Sequence, residues 1–337
     1  MKKAKKFLGA LVVFMAIAFV ITGCNVPSAN ASPSDKVYTL KVAHQAAVDH
    51  PWQLAALDFK KAVEEKTQGK VLIETYFGGT LGYDRDLFEG LQFGTVDLAF
   101  ISTAPMSAFL PEIGVLDLPY VFRNWDHLEA FLDSQPAKDL SDKLKGIGIV
   151  NISFFPGGFR QLTNNVRPIT KLEDLKNLKI RVMQSDVYID TFTALGAAPV
   201  PMAWGEVQTS LQQGTIAGQE NPNIVNETNN IWEMQKYMSM TGHCAYMTAF
   251  TGSERLLSQL PKEYYDMIME IGKEVCLANI KKVRVEEDRI LENIKGKGME
   301  VNELDTAPLA AATVSVRDAF AAKNGGDIMN AIMNLAK

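Results

Sequence analysis

The stretch IGIVNISFFPGGFRQLTNN, residues 147–165, decides the fold. Its first part, 147–155, is nearly all apolar and rich in β-branched residues. That is the composition of a central strand buried on both faces. Pro156, Gly157 and Gly158 follow. A proline and two glycines interrupt a strand and suit a crossing between two bodies. The pattern therefore predicts one lobe before this point and a second after it.

Working upstream, residues 37–44, 71–77 and 96–102 read as strands, the first by its alternation. Between them, 51–70 and 84–94 read as helices, with Pro51 in a first turn and Gly69 and Gly94 as stops. Strand–helix alternation at these intervals means βα units and a mostly parallel sheet. A helical stretch runs from His127 to Leu144, with His127 read as a residue of its polar face. Downstream, IRVM, VYIDTFTALG (187–196) and APVPM (198–202) restart strand–helix–strand. Residues 204–222 read as a helix and then a polar turn, and 237–250 as one strand returning to the first lobe. From Lys262 to about Lys295 the chain reads as one long helix or two abutting ones, and 307–335 is again helical. The fold class expected is α/β, two lobes with a ligand cleft between them and long C-terminal helices.

The N-terminus addresses the compartment. Lys2, Lys3, Lys5 and Lys6 precede an apolar run from Phe7 to Ile21, then Thr22, Gly23 and Cys24. A basic region, an apolar region and small residues make a secretory signal, and the run is short for a membrane span. ITGC resembles a bacterial lipobox, which implies cleavage before Cys24 and its lipidation; cleavage after Ala31 in SANAS is the alternative. The expected divisions are a lipoprotein signal peptide at 1–23 and a flexible tether at 24–36. Lobe I takes 37–157 with about 245–285, and lobe II takes 158–244 with about 286–337. The net charge of −5 becomes −9 once the four lysines of the signal are removed. An acidic surface argues against nucleic acid or anionic lipid as a partner. Cys244 and Cys276 show no metal spacing; they read as two buried thiols, with pairing as the alternative.

The search for catalytic motifs finds no G-x-S-x-G, H-E-x-x-H, P-loop or G-x-G-x-x-G. The four histidines lack metal-ligand spacing, so neither metal nor cofactor is expected. No nucleophile, base and oxyanion site can be assembled, so the chain is read as a non-enzyme. A distant pair of carboxylates stays open. What remains is a set of polar residues at strand ends. Arg160 follows the glycines, Arg181 comes twenty-one residues later, and Asn221 sits in GQENP. Arg181 alternates with apolar neighbours on a short strand, where it faces either solvent or a ligand. Two arginines at one end of adjacent strands repel unless an anion lies between them. With an amide for orientation and Trp204 as an apolar wall, they make a kit for an organic acid.

These residues carry a family resemblance. The chain resembles the DctP-type solute-binding proteins of TRAP (tripartite ATP-independent periplasmic) transporters from about Tyr38 to Leu335. The motifs are LGYDRDLFEGLQFGTVDLAF (81–100), GVLDLPYVF (114–122), GGFRQLTNN (157–165), DLKNLKIRV (174–182), PVPMAWGEV (199–207), LQQGTIAGQENP (211–222) and MQKYMSMTGH (234–243). The resemblance implies a periplasmic-binding-protein-like receptor, in the periplasm or at the cell surface. Such a receptor closes on a carboxylate ligand and hands it to separate membrane permease subunits, here as a lipid-anchored monomer. It implies ligand contacts from Arg181 (the selectivity arginine), Arg160, Asn221, Trp204 and Asp84. His44, Gln45 and His50 after the first strand, and Ser102 and Thr103 after the third, join them. Ala217 and Gln208 depart from the family pattern at positions where aspartate and tyrosine are common. The motifs lean towards a sugar acid such as a uronate. A C4-dicarboxylate receptor, a sensory binder and a secreted enzyme are the alternatives.

Overall fold

A computed structural model describes residues 36–335. Cys24, the expected signal and all but the last residue of the tether lie outside the described residues. In chain order the strands are β1 (Tyr38–Ala43), β2 (Val71–Tyr76), β3 (Leu98–Ser102), β4 (Ile149–Asn164), β5 (Lys179–Val182), β6 (Ala198–Pro201), β7 (Gly218–Pro222), β8 (Tyr237–Ser239), β9 (Ala245–Ser253) and β10 (Glu300–Asn302). Eight of them form a continuous path, β2-β1-β3-β9-β4-β7-β5-β6. β1 pairs in parallel with β2 and β3, and β5 in parallel with β6 and β7, as βα units require.

β4 joins the two halves. Its first part, from Ile149 to Phe159, runs antiparallel to β9; its second, from Arg160 to Asn164, runs antiparallel to β7. The break expected at Pro156 does not occur. The strand continues for 16 residues and absorbs the disruption as a shift of register between Pro156 and Phe159. Proline is tolerated at a bulge because the ladder is already open there. Gly157 is needed for space, since a Cβ there would come within 2.7 Å of the Tyr246 ring. The crossing between lobes is thus a bulged strand shared by both sheets.

Further expectations are corrected. GQENP is not a turn but the buried strand β7, whose five residues are all buried. Residues 237–250 are not one strand: β8 and β9 are separated by a turn at Gly242, which has φ +49° and donates its N–H to Gln161 Oε1 at 2.9 Å. The stretch after His127 is two helices, Trp125–Leu132 and Gln135–Gly146, divided where the Ser134 hydroxyl caps the second. His127 is buried rather than on a polar face, and its Nε2 lies 2.7 Å from the Ile332 carbonyl oxygen. Residues Lys262–Gly296 form one helix of 35 residues, and the expected division near 285 falls inside it. Cys244 and Cys276 are buried free thiols.

β1 and β2 return through the helix Pro51–Lys66, which packs Trp52, Phe59 and Val63 onto Phe100 and Phe250. The second sheet buries Leu162, Ile180, Tyr188 and Phe192 in a separate core. The carboxyl ends of β1, β3 and β5 open toward one cleft, where ligands bind in open α/β sheets.

Candidate functional site

The cleft holds a cavity of about 180 Å³. Of the expected residues, Gln45, His50, Asp84 and Ser102 line it from the first lobe, and Arg181, Trp204 and Asn221 from the second. His44, Thr103 and Arg160 are buried behind it.

Arg181 sits near the end of β5 and is 3 % exposed. Its Nε and Nη2 both donate to the Met202 carbonyl oxygen, at 3.1 and 2.8 Å. One edge of the guanidinium is fixed in this way, and the Nη1–Nη2 edge is left for an end-on carboxylate. Trp204, first residue of the helix Trp204–Gln212, places its ring centroid 5.6 Å from Arg181 Cζ. Burial pushes the guanidinium down to about 10, with Glu220 opposing and the like charge of Arg160 adding. It stays charged at neutral pH.

Asp84 opens the helix Asp84–Phe93 and faces Arg181 across the cleft. Its Oδ2 accepts from Gln45 Nε2 at 2.9 Å and its Oδ1 from the Ser102 N–H at 3.3 Å. Burial pushes the carboxyl up to about 6, against the pull of the Ser102 bonds, the Arg181 charge and Gln45. His50 caps the helix Pro51–Lys66: its Nδ1 accepts the Trp52 N–H at 3.2 Å. The acceptor role fixes the tautomer, so the proton sits on Nε2, a buried donor with no partner in the protein. Burial and the neighbouring His44 push His50 down to about 3, so it is neutral. His44, pushed down to about 4 chiefly by burial, bonds Gln53 Oε1 through Nε2 at 2.8 Å.

Arg160 is fully buried and already has its anion. Nε donates to Glu220 Oε2, and Nη2 donates to Glu220 Oε1 at 2.9 Å and to Asn221 Oδ1 at 3.0 Å. Burial opposes its charge most strongly, but Glu220 together with Tyr188 and Tyr246 overcomes it and raises the guanidinium further. Burial likewise opposes the Glu220 charge, and Arg160 with the His243 bond holds that carboxyl below its ordinary value. His243 Nε2 lies 3.1 Å from Glu220 Oε2. Arg160 therefore reaches the cavity through Asn221. Thr103 bonds Asp117 and the Met247 carbonyl, away from the cavity.

Sequence reasoning missed Glu220, Met202, Tyr246 and Tyr83. Glu220 was hidden because GQENP reads as a turn. Met202 and Tyr83 lie inside the quoted motifs PVPMAWGEV and LGYDRDLFEGLQFGTVDLAF without being singled out, and Tyr246 lies outside every motif; the signal for Glu220 was Arg160, whose burial demands a carboxylate. Among the described residues no group of His, Cys, Asp and Glu gathers that could hold a metal ion, and no helix is long and apolar enough to cross a membrane.

Comparison with known proteins fits this geometry. Residues 42–324 match the DctP model, bacterial extracellular solute-binding protein, family 7. The chain belongs to this family. It is 32% identical over 285 residues to a solute-binding protein of Verminephrobacter eiseniae, covering 84% of each chain. A TRAP periplasmic solute-binding protein of Bordetella bronchispeptica, with density assigned to pantoate, superposes at a TM-score of 0.86 with 36% identity. That match covers 89% of this chain and 100% of the other. The sugar-acid-binding protein DctPAm of Advenella mimigardefordensis, in complex with galactonate, also gives a TM-score of 0.86, with 30% identity over 89% and 98% of the two chains. The chain is a TRAP solute-binding protein with the two-lobe fold of that family.

Proposed function

We propose that this protein is an extracytoplasmic receptor for a sugar acid with a single carboxylate, which it delivers to the membrane permease of a secondary TRAP carrier. The observation that carries the reading is the count of buried cations free for a ligand. Arg181 offers an unspent edge to the cavity, whereas Arg160 is neutralised by Glu220. Arg85 also lines the cavity, but it is a rim residue, 55% exposed and paired with Glu89 at 3.3 Å. A C4-dicarboxylate would bring a second charge with no buried cation to meet it. The remaining groups suit hydroxyls: Asp84 and Gln45 accept, and His50 Nε2 donates. The relative bound to galactonate supports the same class.

Asp84, Gln45 and His50 hold and orient a ligand, and the family is one of receptors, so the protein is read as non-catalytic. We place it as a monomer held at the membrane by lipid on Cys24, where two acyl chains would anchor it firmly. Residues 37–157 and 158–244 move as the main bodies of two lobes, with the helix Lys262–Gly296 serving both. A thermal-shift screen of the protein without its tether tests the ligand class. D-galactonate or D-glucuronate at 100 times its dissociation constant adds about 2.7 kcal/mol of stability. Stabilisation by succinate and by neither sugar acid reverses the assignment.

A further inference from the structure

We propose that Tyr83 and Gly205 form a steric latch across the mouth of the cleft, which holds the lobes closed over the acid and sets the roof of the cavity. The inference rests on the organic-acid reading of that cavity. Tyr83 belongs to the first lobe. It stands immediately before the helix Asp84–Phe93, where its backbone N–H donates to Asp86 Oδ2 at 3.0 Å. Its ring lies against bare backbone at Gly79, where φ is +74° and a Cβ would come within 3.1 Å of the ring. The phenol tip then reaches across the cleft to Gly205 of the second lobe. A Cβ on Gly205 would lie 2.2 Å from both Cζ and the phenolic oxygen of Tyr83, and 2.7 Å from Cε2.

Gly205 is the second residue of the helix Trp204–Gln212 and does not have a positive φ. Backbone conformation therefore gives no reason for glycine there, and glycine is the poorest helix former after proline. The missing Cβ is explained by the tyrosine that occupies its space. Both partners adjoin ligand-facing residues, Tyr83 beside Asp84 and Gly205 beside Trp204, and Tyr83 itself lines the cavity. Closure thus seats an aromatic ring on bare backbone directly above the acid. With that roof in place the cavity measures about 180 Å³, below the roughly 300–1,000 Å³ usual for drug-sized ligands. It admits an acid the size of a hexuronate or smaller.

A double-mutant cycle tests the latch. Calorimetry is run with D-galactonate, D-glucuronate and D-erythronate on wild type, Gly205→Ala, Tyr83→Ala and the double variant. For whichever acid wild type binds, Gly205→Ala binds at least tenfold more weakly, because the added methyl wedges the lobes apart at the ring. Tyr83→Ala loses severalfold through faster release. The double variant matches Tyr83→Ala, since the methyl costs nothing once the ring is gone. The melting temperature of unliganded Gly205→Ala equals or exceeds that of wild type. If the added methyl weakens binding equally with and without the ring, or not at all, the latch is wrong and the acid site stands. If wild type binds none of the acids, both readings fall.

Discussion

Arg160 and Arg181 invite comparison because they are so nearly alike. Both are buried arginines, at 0% and 3% exposure, on strands that flank β7. Around Arg160 the chain supplies its own carboxylate, Glu220, and orders it with His243. In direct contact with Arg181 it supplies a neutral carbonyl and the face of an indole, with the Glu220 and Asp84 charges acting from beyond hydrogen-bond range. An aspartate lies near each arginine, and burial dominates both. Asp84, facing Arg181, is pushed up by burial to about 6; Asp117, near the Arg160–Glu220 pair, is pushed up by burial to about 8. Asp84 is drawn back chiefly by its Ser102 hydrogen bonds and then by the Arg181 charge, whereas Asp117 is drawn back by Thr103 and Arg160, with Glu220 opposing. One arginine is part of the frame, and the other keeps a donor edge with no carboxylate bonded to it, the edge proposed for the ligand.

The largest expected effect breaks the frame. Glu220→Ala leaves the Arg160 charge buried and unpaired, so unfolding in urea should show a loss of about 3–5 kcal/mol. Replacing Arg160 and Glu220 together with methionines should cost much less, because no charge is then stranded. A single variant that unfolds at the wild-type midpoint would show that the pair is not structural. Arg181→Ala should do the reverse. The unliganded fold should keep its stability or gain some, since a buried charge with no anion is removed. Binding of the sugar acid should weaken by about 2–5 kcal/mol, the usual result of stripping one partner from a buried charge pair. Calorimetry that finds Arg181→Ala within twofold of wild type would erase the distinction between the two arginines.

How much of this was legible in the sequence follows the same division. The parallel βα units were legible because Leu40 and Val42 alternate with polar neighbours and Pro51, Gly69 and Gly94 mark helix ends. The bulge in β4 was not, since Pro156 and two glycines look alike whether a strand ends or bends. β7 was not, because Gln219, Glu220 and Asn221 have the composition of a turn; they are buried only because Arg160, Thr163 and Asn226 satisfy them. At the site, Arg181, Asp84 and Trp204 were reachable by resemblance. That Arg160 lay behind Asn221, and Thr103 behind the wall, depends on packing across the crossing of the lobes, which no local pattern encodes.

A pH-dependent effect sharpens the comparison further. Thr103 Oγ1 lies 2.9 Å from the Met247 carbonyl oxygen and 3.0 Å from Asp117 Oδ1. Its one proton cannot serve both, so the arrangement is satisfied when Asp117 is protonated and donates to Thr103, which donates to Met247. The charges facing Asp117 are Arg160, which favours ionisation, and Glu220, which opposes it. A carboxyl raised from 3.8 to about 8 by folding gives the folded state more bound protons across that window. Stability therefore falls as pH rises through it, and the penalty is complete above about 8. Asp117→Asn should flatten this slope and melt no lower than wild type at alkaline pH. Thermal denaturation with the same slope for both proteins would mean that Asp117 is ionised and that Arg160 has charge to spare.

The smallest expected effect concerns the indole over Arg181. A guanidinium desolvated against Trp204 gains roughly 0.5–2 kcal/mol from the ring face, and the same ring lines the cavity, where it is proposed to wall the carbon chain of the ligand. Trp204→Phe keeps a smaller face, so affinity should fall by less than tenfold; Trp204→Ala loses both contributions and should fall further. The contact belongs to the guanidinium, so it should couple to it. In an Arg181→Lys background, where the planar fork is gone, the step from Trp204 to Phe should cost less than in wild type. Equal costs in the two backgrounds would make Trp204 a wall and nothing more. Arg181 would then be held by Met202 alone, and its poise for an incoming carboxylate would rest on one carbonyl oxygen.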